Sequence, residues 1–390
     1  MWLGQLVSNL GDTVNYIALV VDVYKLSGSG IALSTLVLFQ IVPVILVGPL
    51  AGALIDRFAR KRVLIAADLA RAVLVLGLLA AQTVWQLYVL AFGLALASAF
   101  FTPAFSAGIP QLIEGDDLLA ANAVAWSTAQ LVQIVGSAVS GSLIALAGVR
   151  AAFGFNAASF LFSAAMIWRA SLPASSPQGA GEAGSSYLQS IRAGISYARS
   201  DRLVSRLFLV QFLASLAVGG TSALLVVLAE RRYGLPAAGF ATFLLAIGLG
   251  ALLGPLMLGR IIRTPRSTSA LFLPYVIRGA GDVLLGLFTV PLLGQALLFI
   301  YGLNTSAGMI TYQSALQSQV PDAVRGRVFT LMDVGWNAAR IISISLAGIL
   351  ADRFGIAVVY YAGGALLIGA GILGLTTIRL GEHKGIRAAE

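Results

Sequence analysis

The stretch Gly48-Pro49-Leu50-Ala51-Gly52-Ala53-Leu54-Ile55-Asp56-Arg57-Phe58-Ala59-Arg60-Lys61-Arg62 carries an apolar run into one acid and then four cations within six residues. Lysine and arginine are retained on the cytoplasmic side of membrane helices, so a span leaving the bilayer at this junction ends in the cytoplasm. That fixes an orientation from which the remaining chain can be counted.

Outward from the junction the composition is that of a polytopic membrane protein. Hydrophobic residues make up 58% and charged residues 11%, with a mean hydropathy of +0.91, whereas soluble domains carry about 25% charged residues. The net charge of +9 does not imply a nucleic-acid partner, because the cations cluster at span ends and leave no broad basic face in water. Cysteine is absent and the one histidine, His383, lies in the tail, which removes disulfides, zinc sites and Cys or His nucleophiles from the membrane. No nucleophile and base pair stands out, so the chain is not expected to be an enzyme or to need a cofactor.

Apolar runs of about 20 residues, enough to cross a hydrocarbon core of about 30 Å, predict twelve helices near 2–24, 31–55, 63–83, 86–110, 119–146, 151–170, 204–229, 237–260, 268–290, 293–317, 326–350 and 356–377. The fold expected is all-α, in two six-helix halves: 1–170, a linker 171–203, 204–377, and a cytoplasmic tail 378–390. The first span carries Gln5, Asn9 and Asp12 and is too polar for a signal peptide. Met1 begins almost at the membrane, and this predicts a natural chain that starts upstream. With both termini cytoplasmic, seventeen cations fall on the inner side and five on the outer, Lys25, Arg150, Arg231, Arg232 and Arg353, which is the expected bias. The acidic loop 111–118 goes against it.

The linker after the sixth span is Pro/Gly/Ser-rich and reads as flexible. Tyr187 to Arg202 then alternates apolar and basic residues, as an amphipathic helix on the inner membrane surface would. Beyond it the pattern repeats. Gly48-Pro49-Leu50 returns as Gly254-Pro255-Leu256, Gly28 as Gly234, and Gly141 and Gly148 as Gly348 and Gly355, at offsets of 206 or 207. Such repeats are common in transporters.

On these residues the chain resembles the major facilitator superfamily. Gly52, Leu54, Asp56, Arg57, Arg60 and Lys61 are similar to its loop signature, with Ala59 in place of a glycine. Gly11-Asp12 and Asp68-Leu69-Ala70-Arg71 resemble the bacterial exporter branch of macrolide efflux proteins and the enterobactin exporter. The resemblance implies proton-coupled antiport across a bacterial plasma (inner) membrane. It also places spans one, four, seven and ten around a cavity. Those spans offer Gln5, Asn9 and Tyr16; Phe92, Phe101, Thr102 and Phe105; Gln211 and Ser215; and Tyr301, Asn304, Thr305, Met309, Tyr312 and Gln313. Aromatic and uncharged polar groups suit a bulky, partly apolar ligand, although about half of the aromatics are expected to face lipid or core.

Several residues have two readings. Gly52, Asp56, Arg57, Arg60 and Lys61 form either a conformational latch, with Asp56 accepting charge-assisted hydrogen bonds, or a cluster that only orients the chain. Gln5, Asn9, Asp12 and Tyr16 share one helical face. An acid midway across a bilayer is costly to keep charged, so Asp12 is the candidate proton carrier; the competing reading buries it permanently against Arg71. Asp68 with Arg71, and Arg278 with Asp282, have the spacing of local pairs. Asp333, Asn337 and Arg340 make a stripe that either faces the cavity or staples a helix to its neighbour. The small-residue face 136–142 favours close helix approach.

The function expected is export of a small amphipathic molecule, coupled to protons, by a monomer in the lipid bilayer. No Walker-type phosphate loop is present. A lipid flippase and a non-transporting sensor or assembly protein are the alternatives.

Overall fold

The computed structural model describes residues 2–55, 59–106, 118–170, 187–236, 239–261, 268–320 and 322–378, and among these no strand occurs. The first half comprises α1 (Trp2–Ser27), α2 (Gly30–Ile55), α3 (Arg60–Ala80), α4 (Val84–Ser106) and α5 (Leu118–Arg169), which Gly148 breaks into two spans. The short α6 (Tyr187–Ser200) leads into α7 (Arg202–Ala223), α8 (Phe240–Ile261), α9 (Thr268–Leu287), α10 (Pro291–Gln319), α11 (Asp322–Phe354) and α12 (Ile356–Thr377). Counting α5 twice and setting α6 aside gives twelve spans in two six-helix halves.

Apolar composition makes these segments helical in a bilayer, where every backbone N–H and C=O must be satisfied within the segment. The ends are set locally. Asp201 caps α7 by accepting from the Leu203 and Val204 amides, Pro291 occupies the start of α10, where its missing N–H is not needed, and a π-turn, Leu228–Arg232, extends α7. Several helices begin earlier than their apolar windows. α3 opens at Arg60 and α11 at Asp322, because apolar length marks only the bilayer core and a helix can run on past it into water.

The described residues with positive φ are Gly28, Gly148, Gly234 and Gly355, at φ 60°, 81°, 64° and 88°. These are two of the glycine pairs of the repeat, and all four turn the chain at one end of the bundle. At this glycine-turn end an L side chain would be strained, and at Gly28, Gly148 and Gly355 the helices join with at most two residues between them. The linker 171–186 and residues 111–117 of the acidic loop lie outside the described residues.

Small residues set the helix contacts, since dispersion at close range replaces a hydrophobic driving force in lipid. A Cβ at Gly136 of α5 would lie 2.8 Å from Thr13 of α1, and the buried Ser140 hydroxyl donates to the Val14 carbonyl. The 136–142 face therefore seats α1. The halves meet along α5 with α8, where Gly248 faces Ile134, and along α2 with α11, where Gly348 faces Ser34 and Ile31. The α6 helix differs from the expected surface helix: Gly194 lies against the Arg327 carbonyl and Leu331 of α11, and Ala198 is buried. Its apolar face docks on protein and leaves Arg192 and Arg199 exposed.

Candidate substrate and coupling site

In the first half, α3 brings Asp68 and Arg71 one turn apart into an ion pair, with side chains 0% and 4% exposed. Asp68 Oδ2 accepts from Ser163 Oγ at 2.7 Å, and Ser163 accepts from Gln5 Nε2 at 3.0 Å. The Arg71 guanidinium lies between the rings of Phe101 and Phe160, 4.1 and 4.4 Å from their centroids. Burial is tolerable because charge, hydrogen bonds and ring faces together replace hydration. Asp12 stands half-buried on α1, within electrostatic range of Arg71 and Asp68. No ion pair joins it to Arg71 among the described residues. The polar face of α1 is thus divided: Gln5 is tied into the network, Asn9 is exposed, Asp12 borders the network and Tyr16 reaches the centre of the molecule.

That centre holds a cavity of 210 Å³ walled by both halves. Tyr16 and Gln133 come from α1 and α5; Thr221 and Ser222 from α7; Leu244 and Ile247 from α8; Asp282 from α9; Leu298 and Tyr301 from α10; Tyr360 from α12. Arg278 and Asp282 do not form the local pair their spacing suggests. Arg278 Nη2 donates to Tyr301 Oη at 2.7 Å, Nη1 reaches Thr305 Oγ1 at 3.4 Å, and the guanidinium covers the Tyr301 ring at 3.8 Å. The aromatic face and two oxygens on α10 outcompete a neighbour on the same helix. Asp282, 2% exposed, keeps an Oδ2 without a hydrogen-bond partner.

Ser215 donates to the Trp336 carbonyl at 2.6 Å, Gln211 Oε1 accepts from Tyr275 at 2.9 Å, and Asn304 Nδ2 turns back to the Ile300 carbonyl. Tyr312 carries a buried hydroxyl with no partner. Phe92 packs against Phe39 of α2 and is 38% exposed, away from the cavity. Thr102, Phe105, Met309 and Gln313 lie along α4 and α10. In α11, Asp333 is exposed, Asn337 bonds the Asp333 carbonyl, and Arg340 lies within electrostatic range of Tyr16. Of the loop signature, Asp56 and Arg57 lie outside the described residues. Gly52 belongs to α2 and Arg60 opens α3. Lys61 Nζ donates to the Ala170 carbonyl at 2.8 Å, inside its own half.

A lock that the sequence did not announce closes the glycine-turn end. Asp352, at the end of α11, accepts from Ser29 Oγ (2.6 Å), the Gly30 amide (2.8 Å) and the Ile31 amide (3.0 Å), so the second half caps α2 of the first. Arg231 ties to Asp352 Oδ1 at 3.3 Å, to Tyr24 Oη at 2.9 Å and to the Gly28 carbonyl. A carboxylate at a helix N-terminus is favoured by both free amides and dipole.

The family model described as transmembrane secretion effector matches residues 1–388. An uncharacterized MFS-type transporter, YfiS of Bacillus subtilis (strain 168), is 29% identical over 97% of this chain and 93% of its own length. Macrolide efflux protein A of Streptococcus pyogenes is 23% identical over 94% and 92%. The enterobactin exporter EntS of Escherichia coli is 26% identical over 78% and 72%. Among solved structures, that of the nucleoside transporter NupG (D323A mutant) superposes with a TM-score of 0.75 over 96% of this chain and 99% of that one, at 11% identity, which speaks to fold alone. The chain is a multi-pass membrane protein and belongs to the transmembrane secretion effector family of major facilitator transporters.

Proposed function

We propose that the protein exports a small amphipathic molecule from the cytoplasm in exchange for protons, by rocking one half against the other, with its glycine-turn end facing outward and both termini in the cytoplasm of a bacterial inner membrane. The carrying observation is the cavity at the junction of the halves together with the Asp352 and Arg231 lock across one of its ends. A site shared by two bodies, sealed on one side by contacts between them, is what alternating access requires. The efflux relatives named above support the outward direction.

Asp12 is the proton carrier in this reading. With Asp68 and Arg71 it forms a group of two acids and one cation, so protonating Asp12 takes the group from one net negative charge to neutral. That difference acts where α1 and α3 both pack on α5, and it biases whichever arrangement of the halves hydrates Asp12 less. Tyr16, one turn further along α1, links this group to the cavity.

Purified protein in liposomes tests the reading with a macrolide and a catecholate siderophore, each assayed with and without a pH gradient. Uptake into inside-out vesicles accompanied by proton counterflow is expected, and Asp12→Asn should uncouple the two by about tenfold or more. Absence of proton movement with either compound, or intact coupling in Asp12→Asn, would overturn it.

A further inference from the structure

The geometry points to a binding site for a protonated amine at Asp282, the acid in the wall of the central cavity. The side chain is 2% exposed, its Oδ2 has no hydrogen-bond partner, and it lines the 210 Å³ space. A buried carboxylate oxygen left unbonded carries a desolvation penalty that a donor from a ligand would relieve.

None of the described neighbours bonds this oxygen. Tyr360 Oη gives its proton to the Thr221 carbonyl at 2.7 Å. Tyr301 Oη accepts from Arg278 and lies 3.3 Å from Ser222 Oγ. Arg278, one turn away on α9, acts on Asp282 through space but directs its terminal nitrogens at Tyr301 and Thr305. Asp282 thus has a counter-charge nearby, and its Oδ2 lacks a hydrogen bond. An ammonium N–H supplies the bond that this oxygen lacks, and the rings of Tyr16 and Tyr360 around the cavity offer faces that attract cations. At roughly 30 Å³ per water, the volume admits an ammonium head with short alkyl arms and leaves the apolar remainder to lie along Leu244, Ile247 and Leu298. A neutral hydroxyl would supply the bond without the charge, and a carboxylate ligand would be repelled.

The inference rests on the transport reading for its biological sense, and names the substrate class of that cavity as lipophilic amines. The test compares three probes of one skeleton, N,N-dimethyl-4-phenylbutylamine, 4-phenyl-1-butanol and 4-phenylbutyrate, by equilibrium dialysis against the full chain in nanodiscs. The wild type is expected to bind the amine at least about tenfold more tightly than the alcohol, and the carboxylate least. In Asp282→Asn, which keeps the shape, the amine-to-alcohol ratio should fall to about one, while Asp282→Glu keeps a preference for the amine. Equal binding of amine and alcohol by the wild type overturns the proposal without any variant, and so does an undiminished ratio in Asp282→Asn. If the amine binds through Asp282 but liposomes move no amphiphile, the transport reading fails and the site stands. If macrolide export proceeds while the ratio ignores Asp282→Asn, the site fails and the reading stands.

Discussion

Replacing Asp352 by alanine should open the glycine-turn end. Three bonds from Ser29 Oγ and the Gly30 and Ile31 amides end on this carboxylate, and removing a helix cap of this kind costs about 1 kcal/mol, with an upper range near 2. The ion pair with Arg231 adds less, because its side chains are 34% and 21% exposed and screened pairs contribute about 0–1 kcal/mol. Water can enter the mouth and satisfy the released amides, so the loss stays near 2 kcal/mol and does not reach the larger penalty of a buried orphan. The three bonds from Ser29, Gly30 and Ile31 cross between the halves, whereas the Arg231 pair lies within the second half, so the cap's share, about 1–2 kcal/mol, should bias the equilibrium between closed and open arrangements by about 5- to 30-fold in population. The chain contains no cysteine, so spin labels can be placed on Leu26→Cys and Phe354→Cys, at exposed positions on α1 and α11, without background. Double electron–electron resonance should show a new or enlarged long-distance population in Asp352→Ala, with Asp352→Asn between it and the parent. A distance distribution indifferent to Asp352→Ala would refute the assignment of the lock.

Two further outcomes follow from buried contacts. Asp68→Asn should destabilise the first half by about 3–5 kcal/mol by leaving Arg71 buried without its counter-charge, read as a lower midpoint in thermal unfolding monitored by gel filtration; Asp68→Asn with Arg71→Met should recover part of it. Gly302→Ala should lower that midpoint too, because its methyl would fall inside van der Waals contact of the Ile247 carbonyl, where α8 and α10 cross, and a backbone neighbour cannot rotate away.

Helix number and the parallel repeat were legible because both rest on local chemistry. Apolar length sets a span, and a glycine that must take positive φ recurs where the fold repeats, so Gly28 with Gly234 and Gly148 with Gly355 could be paired by offset alone. The network around Arg71 was partly legible: Asp68 lies one turn away, whereas Ser163 and Gln5 reach it through tertiary packing. Asp282 was misread because spacing by four puts a cation within reach but does not say what else that cation can reach. The Tyr301 ring and hydroxyl, on another helix, decide it. The lock escaped because Asp352 and Ser29 are 323 residues apart, and an aspartate at a helix end looks like any surface acid. The docking of α6 was hidden for a similar reason: an amphipathic pattern specifies an apolar partner without saying whether it is lipid or protein.

The four glycine turns also constrain how the molecule can move. Gly355 alone separates α11 from α12, and Gly28 with Ser29 separates α1 from α2. Joins this short have no slack, so the ends of α1 and α2, and those of α11 and α12, must move together. Any widening of this end is therefore a parting of hairpin from hairpin, concentrated where the α1–α2 hairpin meets the α11–α12 hairpin. That seam is the one where Asp352 caps α2, beside the Arg231 bonds to Tyr24 and Gly28.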